Sequence, residues 1–334
     1  MDFPRAAGRR GPAVAEGGPL STARALLPPP VHVFVRDWLS ANNVLLKGRA
    51  GHVLVDSGYS RHAPLTLELL AAGMAGAPLT LLANTHCHSD HMGGNAAIAA
   101  RHGCPIAVPA GEAPLIAAWD TQALLLDYAG QRADRFTVQE VLCAGETRTW
   151  GDLDWQLLAA PGHDMRALVF YNAAHGILIS GDALWANGFG FVMPVEIEPA
   201  ALPATRATLD LIASLDVKVV IPGHGEPFRD VGTALDRAYR RLEAYEADPA
   251  RLPHHALKVI LAFLLLDRQR LAVDALPALV ESVGIFRDFN ARFLRMAPAD
   301  LGTSLAHDLV RAGAAAFEDG WIVPAGPARR AIRE

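Results

Sequence analysis

Positions 85 to 94 read Thr85-His86-Cys87-His88-Ser89-Asp90-His91-Met92-Gly93-Gly94. Side chains two positions apart in an extended segment point the same way, so His86 and His88 can hold one cation from one side. Asp90 continues that register, whereas His91 begins a new turn and points elsewhere. The run therefore predicts ligands for two neighbouring metal ions, and its two glycines let the backbone turn tightly behind them.

More ligands must come from downstream, because zinc prefers about four ligands and a catalytic site keeps one position for water. Strand-like apolar runs supply them, since His163 and His224 each follow Pro-Gly and Asp182 follows Ser-Gly. Loops just past strand ends are where open α/β sheets place their sites. A carboxylate at Asp182 could bridge two ions with its two oxygens. The predicted ligands are His86, His88, His163 and Asp182 on one ion, and Asp90, His91, Asp182 and His224 on the other.

The chain divides into three predicted parts. Residues 1–28 are rich in Ala, Gly, Pro and Arg, lack the apolar core of an export signal, and are predicted to form a flexible tail. Residues 29–248 alternate short apolar runs with helical segments, among them a mainly helical stretch over 112–128. Residues 249–334 are predicted to be helices that close on a hairpin turned at Asp319-Gly320, in a winged-helix-like outline. The alternative is a plain helical appendage.

The composition excludes several classes of protein. Hydrophobic residues make up 51% and charged residues 19% of the 334 positions, which disfavours a disordered chain. The net charge of −5, from 35 acidic and 30 basic residues, gives no support for nucleic-acid binding. No apolar run approaches the ~20 residues of a membrane span, and three cysteines are too few for a disulfide scaffold. We expect a cytoplasmic protein acting on a small molecule, without nucleic-acid or membrane partners, with homo-oligomerisation left open.

The ordered ligand series resembles that of the metallo-β-lactamase superfamily, in its glyoxalase II-like hydrolase branch. The likeness rests on the His-x-His-x-Asp-His run, on the three later ligands in their order, and on Asp56 in Val-Asp-Ser-Gly. Asp56 matches the early aspartate that orients the ligands from behind. Covering roughly residues 31–228, the resemblance implies an α/β fold: a four-layer αββα sandwich with the metals at one edge of its two sheets. The smaller, mainly helical C-terminal domain would follow it.

The resemblance also implies a dinuclear metal-dependent hydrolase. Two divalent ions, with zinc first and iron or manganese as alternatives, would let metal-bound hydroxide attack a thioester, lactone or similar ester-like carbonyl. Asp90 is the predicted catalytic residue, which steers the hydroxide or relays a proton to the leaving group. The alternative is a metal-dependent nuclease that grips RNA or DNA with the C-terminal domain. A third hypothesis is a non-catalytic binding protein on a retained metal scaffold.

Departures from other branches narrow the expectation. Asp182 stands where the commonest class B β-lactamases carry a cysteine, which argues against antibiotic hydrolysis. His88 stands where flavodiiron relatives carry glutamate, which disfavours redox chemistry. The interval from Asp182 to His224 is too short for the large domain inserted in the long nucleases.

Three features near the ligands are open to interpretation. The aromatic residues of 185–191 could form an apolar wall for an acyl chain, or they could pack in the core. Arg166 could meet a substrate carboxylate, although a surface salt bridge is the commoner use. Cys87 lies between two ligands but should point away from the metals, so we expect it to pack in the core.

Overall fold

The computed structural model of the chain describes residues 27–325. The flexible tail predicted for residues 1–28 therefore falls almost wholly outside the described residues. The strands are β1 (Val31–Phe34), β2 (Asn43–Gly48), β3 (Gly51–Val55), β4 (Leu79–Ala83), β5 (Ile106–Pro109), β6 (Glu140–Leu142), β7 (Thr147–Trp150), β8 (Leu153–Ala159), β9 (Leu168–Asn172), β10 (Ile177–Gly181), β11 (Val219–Pro222), β12 (Leu271–Ala272), β13 (Ala315–Glu318) and β14 (Trp321–Pro324). The α-helices are α1 (Ala63–Gly73), α2 (Ser89–Met92), α3 (Asn95–His102), α4 (Ala113–Ala118), α5 (Ala201–Ser214), α6 (Val231–Ala247), α7 (Arg251–Arg268), α8 (Leu276–Ser282), α9 (Gly284–Phe289) and α10 (Pro298–Arg311).

Two mixed sheets form the larger part of the molecule. The first has the strand order β1-β2-β3-β4-β5-β6, and the second has the order β11-β10-β9-β8-β7. Strands β3 to β6 run parallel to one another, as do β10 and β11, whereas the remaining pairs of these two sheets are antiparallel. Because parallel neighbours end at the same edge of a sheet, the loops that follow them open side by side.

The core lies in three apolar layers between and outside these sheets. The inner faces of both sheets meet around Trp155 and Phe170. Leu70 of α1 belongs to the layer outside the first sheet, and Leu209 of α5 and Leu242 of α6 belong to the layer outside the second. Covering both faces explains why all five residues of β9 and of β10 are buried. The order helix, sheet, sheet, helix confirms the predicted four-layer αββα sandwich.

The C-terminal segment forms a smaller, mainly helical unit with its own apolar core, which includes Leu264, Phe286 and Leu305. Its sheet has the order β12-β14-β13. The hairpin predicted at Asp319-Gly320 is present, and both residues have positive φ angles, 47° and 82°, as a tight hairpin turn requires. Helix α6 ends and α7 begins on either side of the predicted boundary at 248, which stays a prediction. Within the described part of the chain, no helix combines the length and apolar character that a membrane span needs.

The helix predicted over 112–128 is wrong. Helix α4 stops at Ala118, and Trp119 adopts a left-handed conformation with a φ of 52°. The side chain of Asp120 then accepts hydrogen bonds from the backbone N–H groups of Gln122 and Ala123, at 3.2 and 3.0 Å. Aspartate competes in this way with the helical hydrogen-bond ladder, so the chain continues as turns.

Candidate metal centre

All seven predicted ligands lie at the ends of four strands and converge on one site. The His86–His91 run follows β4, His163 follows β8, Asp182 follows β10 and His224 follows β11. Their ligand atoms form two groups, within each of which every pair lies inside 4.8 Å. The first group is His86, His88 and His163, and the second is Asp90, His91, Asp182 and His224. Their roles as metal ligands stay predictions.

Asp182 occupies the position between the two groups. Its Oδ1 lies 3.4 Å from His91 Nε2, and its Oδ2 lies 3.5 Å from His163 Nε2 and 3.8 Å from His224 Nε2. The indole N–H of Trp185 donates to Oδ1 at 3.1 Å and helps to hold the carboxylate in place. This geometry suits the bridging carboxylate that was predicted at Asp182.

Hydrogen bonds fix the orientation of three histidine rings at the site. His91 Nδ1 donates to Asp56 Oδ2 at 2.8 Å, and His163 Nδ1 donates to the carbonyl of Phe191 at 2.5 Å, because both acceptors can only accept. The other nitrogen, Nε2, of each ring faces the Asp182 carboxylate, where a bound cation would take the place of its proton. His88 is turned the other way round, since its Nδ1 lies 2.9 Å from His163 Nε2. Such fixed tautomers are typical of metal-binding histidines.

Asp56 supports the ligand run from behind, as predicted. Besides the bond from His91, it accepts from the backbone N–H of Thr85 at 2.9 Å and from the Thr85 hydroxyl at 2.8 Å. Its φ of 57° lies in the left-handed region that aspartate tolerates better than most residues. Thr85 in turn contacts His86 Nδ1 at 3.1 Å.

Burial keeps two of the histidines at the site neutral. Burial lowers the pKa of His86 well below its ordinary value, and it lowers the pKa of His88 to about 4. Burial also disfavours charge on His91, but the carboxylates of Asp182, Asp56 and Asp90 outweigh it and raise that pKa well above its usual value. The three carboxylates therefore act on His91 together.

The residues present fit a pair of divalent cations. Among the described residues, His86 Nε2 and His91 Nε2 are buried and have no hydrogen-bond partner. An unpaired buried polar atom is costly, so two such nitrogens in one ligand cluster indicate a missing partner. Five imidazoles and two carboxylates are a donor set that suits zinc, iron or manganese.

Aromatic rings cover one side of the site. The ring of Trp38 stacks on that of His224 with centroids 4.3 Å apart and an interplanar angle of 5°, and Trp185 meets His224 edge-on at 5.4 Å. Trp185 and Phe191 line the cavity over the ligands, whereas Phe189 is buried in the core. The core interpretation therefore holds for Phe189, whereas an acyl-chain wall formed by Trp185 and Phe191 stays a prediction.

Cys87 and Arg166, which lie near ligands in the sequence, differ in their exposure to solvent. Cys87 is buried in the core outside the first sheet, as predicted, and all three cysteines are free. Arg166 is exposed at the rim of an adjoining cavity. Sequence reasoning missed Trp38, because it lies far from His224 in the sequence.

The ligand cluster lies at the edge of the αββα sandwich and forms a candidate metal centre there. The family model described as "Metallo-beta-lactamase superfamily" matches residues 36–224, and the chain belongs to that superfamily. This confirms the resemblance stated from the ligand series.

The similar proteins include two named hydrolases. The acyl-coenzyme A thioesterase MBLAC2 of Gallus gallus is 27% identical over 225 residues, which are 61% of this chain and 78% of that protein. The hydroxyacylglutathione hydrolase of Synechococcus sp. (strain JA-3-3Ab) is 32% identical over 115 residues, 34% of this chain and only 38% of that protein. A Cronobacter sakazakii metallo-β-lactamase with a HARLDQ motif has a TM-score of 0.54 at 18% identity, covering 66% of this chain and 93% of that one, and shows the fold alone. The prediction of an enzyme of this superfamily is confirmed.

Proposed function

We propose that the chain is a dinuclear metal-dependent hydrolase that cleaves thioesters. The convergence of seven ligand residues in two groups around Asp182 is the observation that carries the proposal. Acyl-coenzyme A and hydroxyacylglutathione, which appear in the names of the two relatives, are both thioesters. A thioester is therefore favoured over a lactone within the ester-like class.

The first group of ligands would hold one cation and the second group the other, with Asp182 reaching both. We propose zinc as the resident ion, with iron or manganese as alternatives that suit the same donors. Two bound divalent cations supply Lewis acidity and lower the pKa of water, so that hydroxide is available near neutral pH. Neutral His86 and His88 would leave the positive charge of the cations uncancelled, and that charge would favour a developing oxyanion.

Asp90 is the proposed catalytic residue. Its side chain is 13% exposed and lines the cavity, while its Oδ2 accepts from His224 Nε2 at 3.0 Å. Burial raises the pKa of Asp90, but His91 and the hydrogen bond from His224 outweigh burial and lower it. The carboxylate is therefore ionised at neutral pH and can orient an attacking water, accept its proton and pass that proton to the leaving thiolate.

The substrate would enter through two connected cavities. The space directly over the ligands is small, about 50 Å³, and is walled by Trp38, Trp185 and Phe263 among others. A second cavity of about 490 Å³ shares His88 and His163 with the first and extends along the C-terminal unit. That volume falls in the range of small-molecule sites, about 300–1,000 Å³. We propose that the scissile carbonyl occupies the small space and that the rest of a small-molecule substrate lies in the larger one.

The test is a hydrolysis screen of zinc-loaded protein against an acyl-coenzyme A, a hydroxyacylglutathione, a lactone, a phosphodiester and a β-lactam. We expect kcat/KM to be highest for a thioester, and Asp90→Asn to lower kcat by at least about 10²-fold. Arg49→Ala, an exposed position away from the ligands, is the matched control. Hydrolysis of the phosphodiester alone would instead support the nuclease hypothesis and overturn the proposal.

A further inference from the structure

Two arginines of α6 bind the backbone of the aromatic segment, residues 185–191, and the proposed chemistry uses neither of them. Arg241 Nη1 donates to the carbonyl of Phe189 at 2.7 Å. Four residues earlier, Arg237 Nη1 donates to the carbonyl of Ala186 at 3.0 Å. Residues four apart lie on the same face of a helix, so α6 presents both guanidinium groups to one segment.

The Arg241 side chain is itself fixed by several contacts. Its Nε donates to the hydroxyl of Tyr245 at 3.2 Å, and its Nη2 donates to His255 Nε2 at 2.7 Å, because a guanidinium can only donate. Its Cζ lies 4.8 Å from the centroid of the Phe189 ring, in cation–π contact. A Cβ at Gly188 would lie 3.1 Å from its Nη1, so the backbone of the aromatic segment approaches the guanidinium closely. Such a planar group with several fixed donors can hold a loop in one position.

The aromatic segment contacts two candidate ligands. The carbonyl of Phe191 accepts from His163 Nδ1 at 2.5 Å, and the ring of His163 leaves no room for a Cβ at Gly190. The backbone N–H of Gly190 donates to the carbonyl of Asp182 at 2.9 Å. At the other end of the segment, the indole N–H of Trp185 donates to Asp182 Oδ1 at 3.1 Å. A shift of the segment would therefore move the ring of His163 and release the Asp182 carboxylate.

We propose that Arg241 is a positioning residue which, through the aromatic segment, holds the ring of His163 in place for a cation. The carbonyl that Arg241 binds, that of Phe189, lies two residues before the carbonyl of Phe191 that orients His163. The inference rests on the proposed function, because it presupposes a cation beside His163. Partners that orient a ligating histidine typically contribute about 10–100-fold to metal affinity. Because Arg241 acts one step further from the ligand, we expect an effect at the lower end of that range.

The experiment compares Arg241→Met with Arg241→Lys. Methionine retains an unbranched apolar stem but no donor, whereas lysine retains a positive charge over the Phe189 ring and a donor for its carbonyl. Metal-free protein is titrated with Zn²⁺ in competition with a chromophoric chelator, and its thermal unfolding is recorded alongside. We expect Arg241→Met to lose about tenfold in affinity at one site, and Arg241→Lys to bind zinc within about threefold of the wild type.

Arg240→Met is the matched control, because Arg240 precedes Arg241 on α6 but is exposed, and we expect it to bind zinc like the wild type. Asp267→Ala controls for lost stability, since it removes a buried partner of two arginines far from the aromatic segment. This variant should lower the melting temperature without changing zinc affinity. If Arg241→Met does not fold, Arg241→Gln takes its place, because the shorter glutamine does not reach the carbonyl of Phe189. We expect the same loss of affinity from it.

The inference is overturned if Arg241→Met has a lower melting temperature but binds zinc like the wild type, since Arg241 would then be merely structural. It is also overturned if lysine and methionine lower the affinity equally. Neither result depends on any substrate. The proposed function fails on a different measurement, namely if wild-type protein loaded with zinc hydrolyses no thioester. The two failures are therefore distinguishable.

Discussion

Asp56 forms several hydrogen bonds with the ligand run, and the sequence pattern alone does not show them. It receives one hydrogen bond from His91 and two from Thr85, so it fixes both the tautomer of a ligand and the backbone at the start of the run. Its negative charge also contributes to the raised pKa of His91. At the scale of single residues, the arrangement of the candidate ligands therefore depends on a residue that is not itself one of them.

Asp56→Ala should lower zinc affinity by about 10–100-fold, because His91 loses the acceptor that orients its ring. The measurement is a chelator-competition titration of the metal-free protein. Asp216→Ala is the control, since that side chain is 82% exposed and pairs only with Lys218 at 3.5 Å. Unchanged affinity in Asp56→Ala would show that the bond to His91 does not position the ring.

The candidate ligands and Asp56 could be predicted from the sequence, whereas the contact of Trp38 with His224 could not. His163, Asp182 and His224 were identifiable because each follows a small-residue turn after an apolar run. Trp38 stacks on His224 from a position almost two hundred residues earlier, and no local spacing encodes that contact.

The loop after β11 shows how an element places a ligand. Gly223 precedes His224, and a Cβ at this position would lie 2.2 Å from Asp182 Oδ1 and 3.0 Å from His91 Cε1. The close approach of this backbone to two other ligands thus requires glycine, independently of any special φ angle.

Gly223→Ala should displace Asp182 and lower both zinc affinity and kcat by at least about tenfold, by the loss of ligand geometry. Gly232→Ala is the matched control, because no atom lies within 4 Å of a Cβ built there in α6. Zinc titration and steady-state kinetics of both variants measure the effect. Equal behaviour of the two alanine variants would contradict the tight packing at Gly223.

The contact between α6 and α7 should make stability depend on pH. His255 of α7 meets Arg241 of α6 at 2.7 Å, and burial, followed by the charge of Arg241, lowers the pKa of His255 to about 3. The unfolded chain binds this proton near pH 6.5, whereas the folded protein does not. Stability from this group is therefore complete above about pH 6.5 and is lost as the pH falls towards 3.

His255→Gln should flatten this dependence, because glutamine still accepts from Arg241 but does not titrate. Between pH 7.5 and pH 5, the wild type should lose up to about 2 kcal/mol more free energy of unfolding than the variant. Urea unfolding at both values measures the difference. Parallel losses in the two proteins would mean that His255 titrates normally.

Helices and strands could be predicted where the hydrophobic pattern alone determined the structure. They could not be predicted where side-chain hydrogen bonds to the backbone competed with that pattern. Strand β8 alternates buried and less buried residues along Leu153–Ala159, which is the pattern seen in its sequence. The apolar residues of 112–128 also have helical spacing, but Asp120 and the left-handed Trp119 end the helix early. Hydrophobic periodicity indicates which face of an element is buried. It does not indicate whether a side chain will hydrogen-bond to the backbone and end a helix.

At the scale of the whole molecule, α7 joins the C-terminal unit to the catalytic sandwich. Phe263 packs edge-on against Tyr59 at 5.1 Å and also lines the cavity over the ligands. Asp267, which is 6% exposed, pairs with Arg61 at 3.5 Å and with Arg132 at 3.4 Å. The C-terminal unit is thus one wall of the site. The sequence indicated such a unit but not this placement, because the contacts of Asp267 join residues that are 135 and 206 positions apart.

Asp267→Ala should lower the free energy of unfolding by about 1.5–2 kcal/mol, because it removes the buried acceptor of two arginines. Thermal and urea unfolding measure this loss, and zinc affinity should not change. Arg49→Ala, which breaks the exposed pair with Asp152, should cost at most about 1 kcal/mol. A loss at Asp267 no larger than at Arg49 would show that the domain contact contributes little.

The number of cations that one chain binds tests the central claim most directly. Metal-free protein should take up two equivalents of Zn²⁺ in a titration followed by elemental analysis after desalting. Asp182→Ala, which removes the residue between the two ligand groups, should reduce that number or weaken both sites. Two equivalents in the wild type would agree with a dinuclear centre at the seven residues. Uptake of no zinc, iron or manganese by the wild type would contradict it.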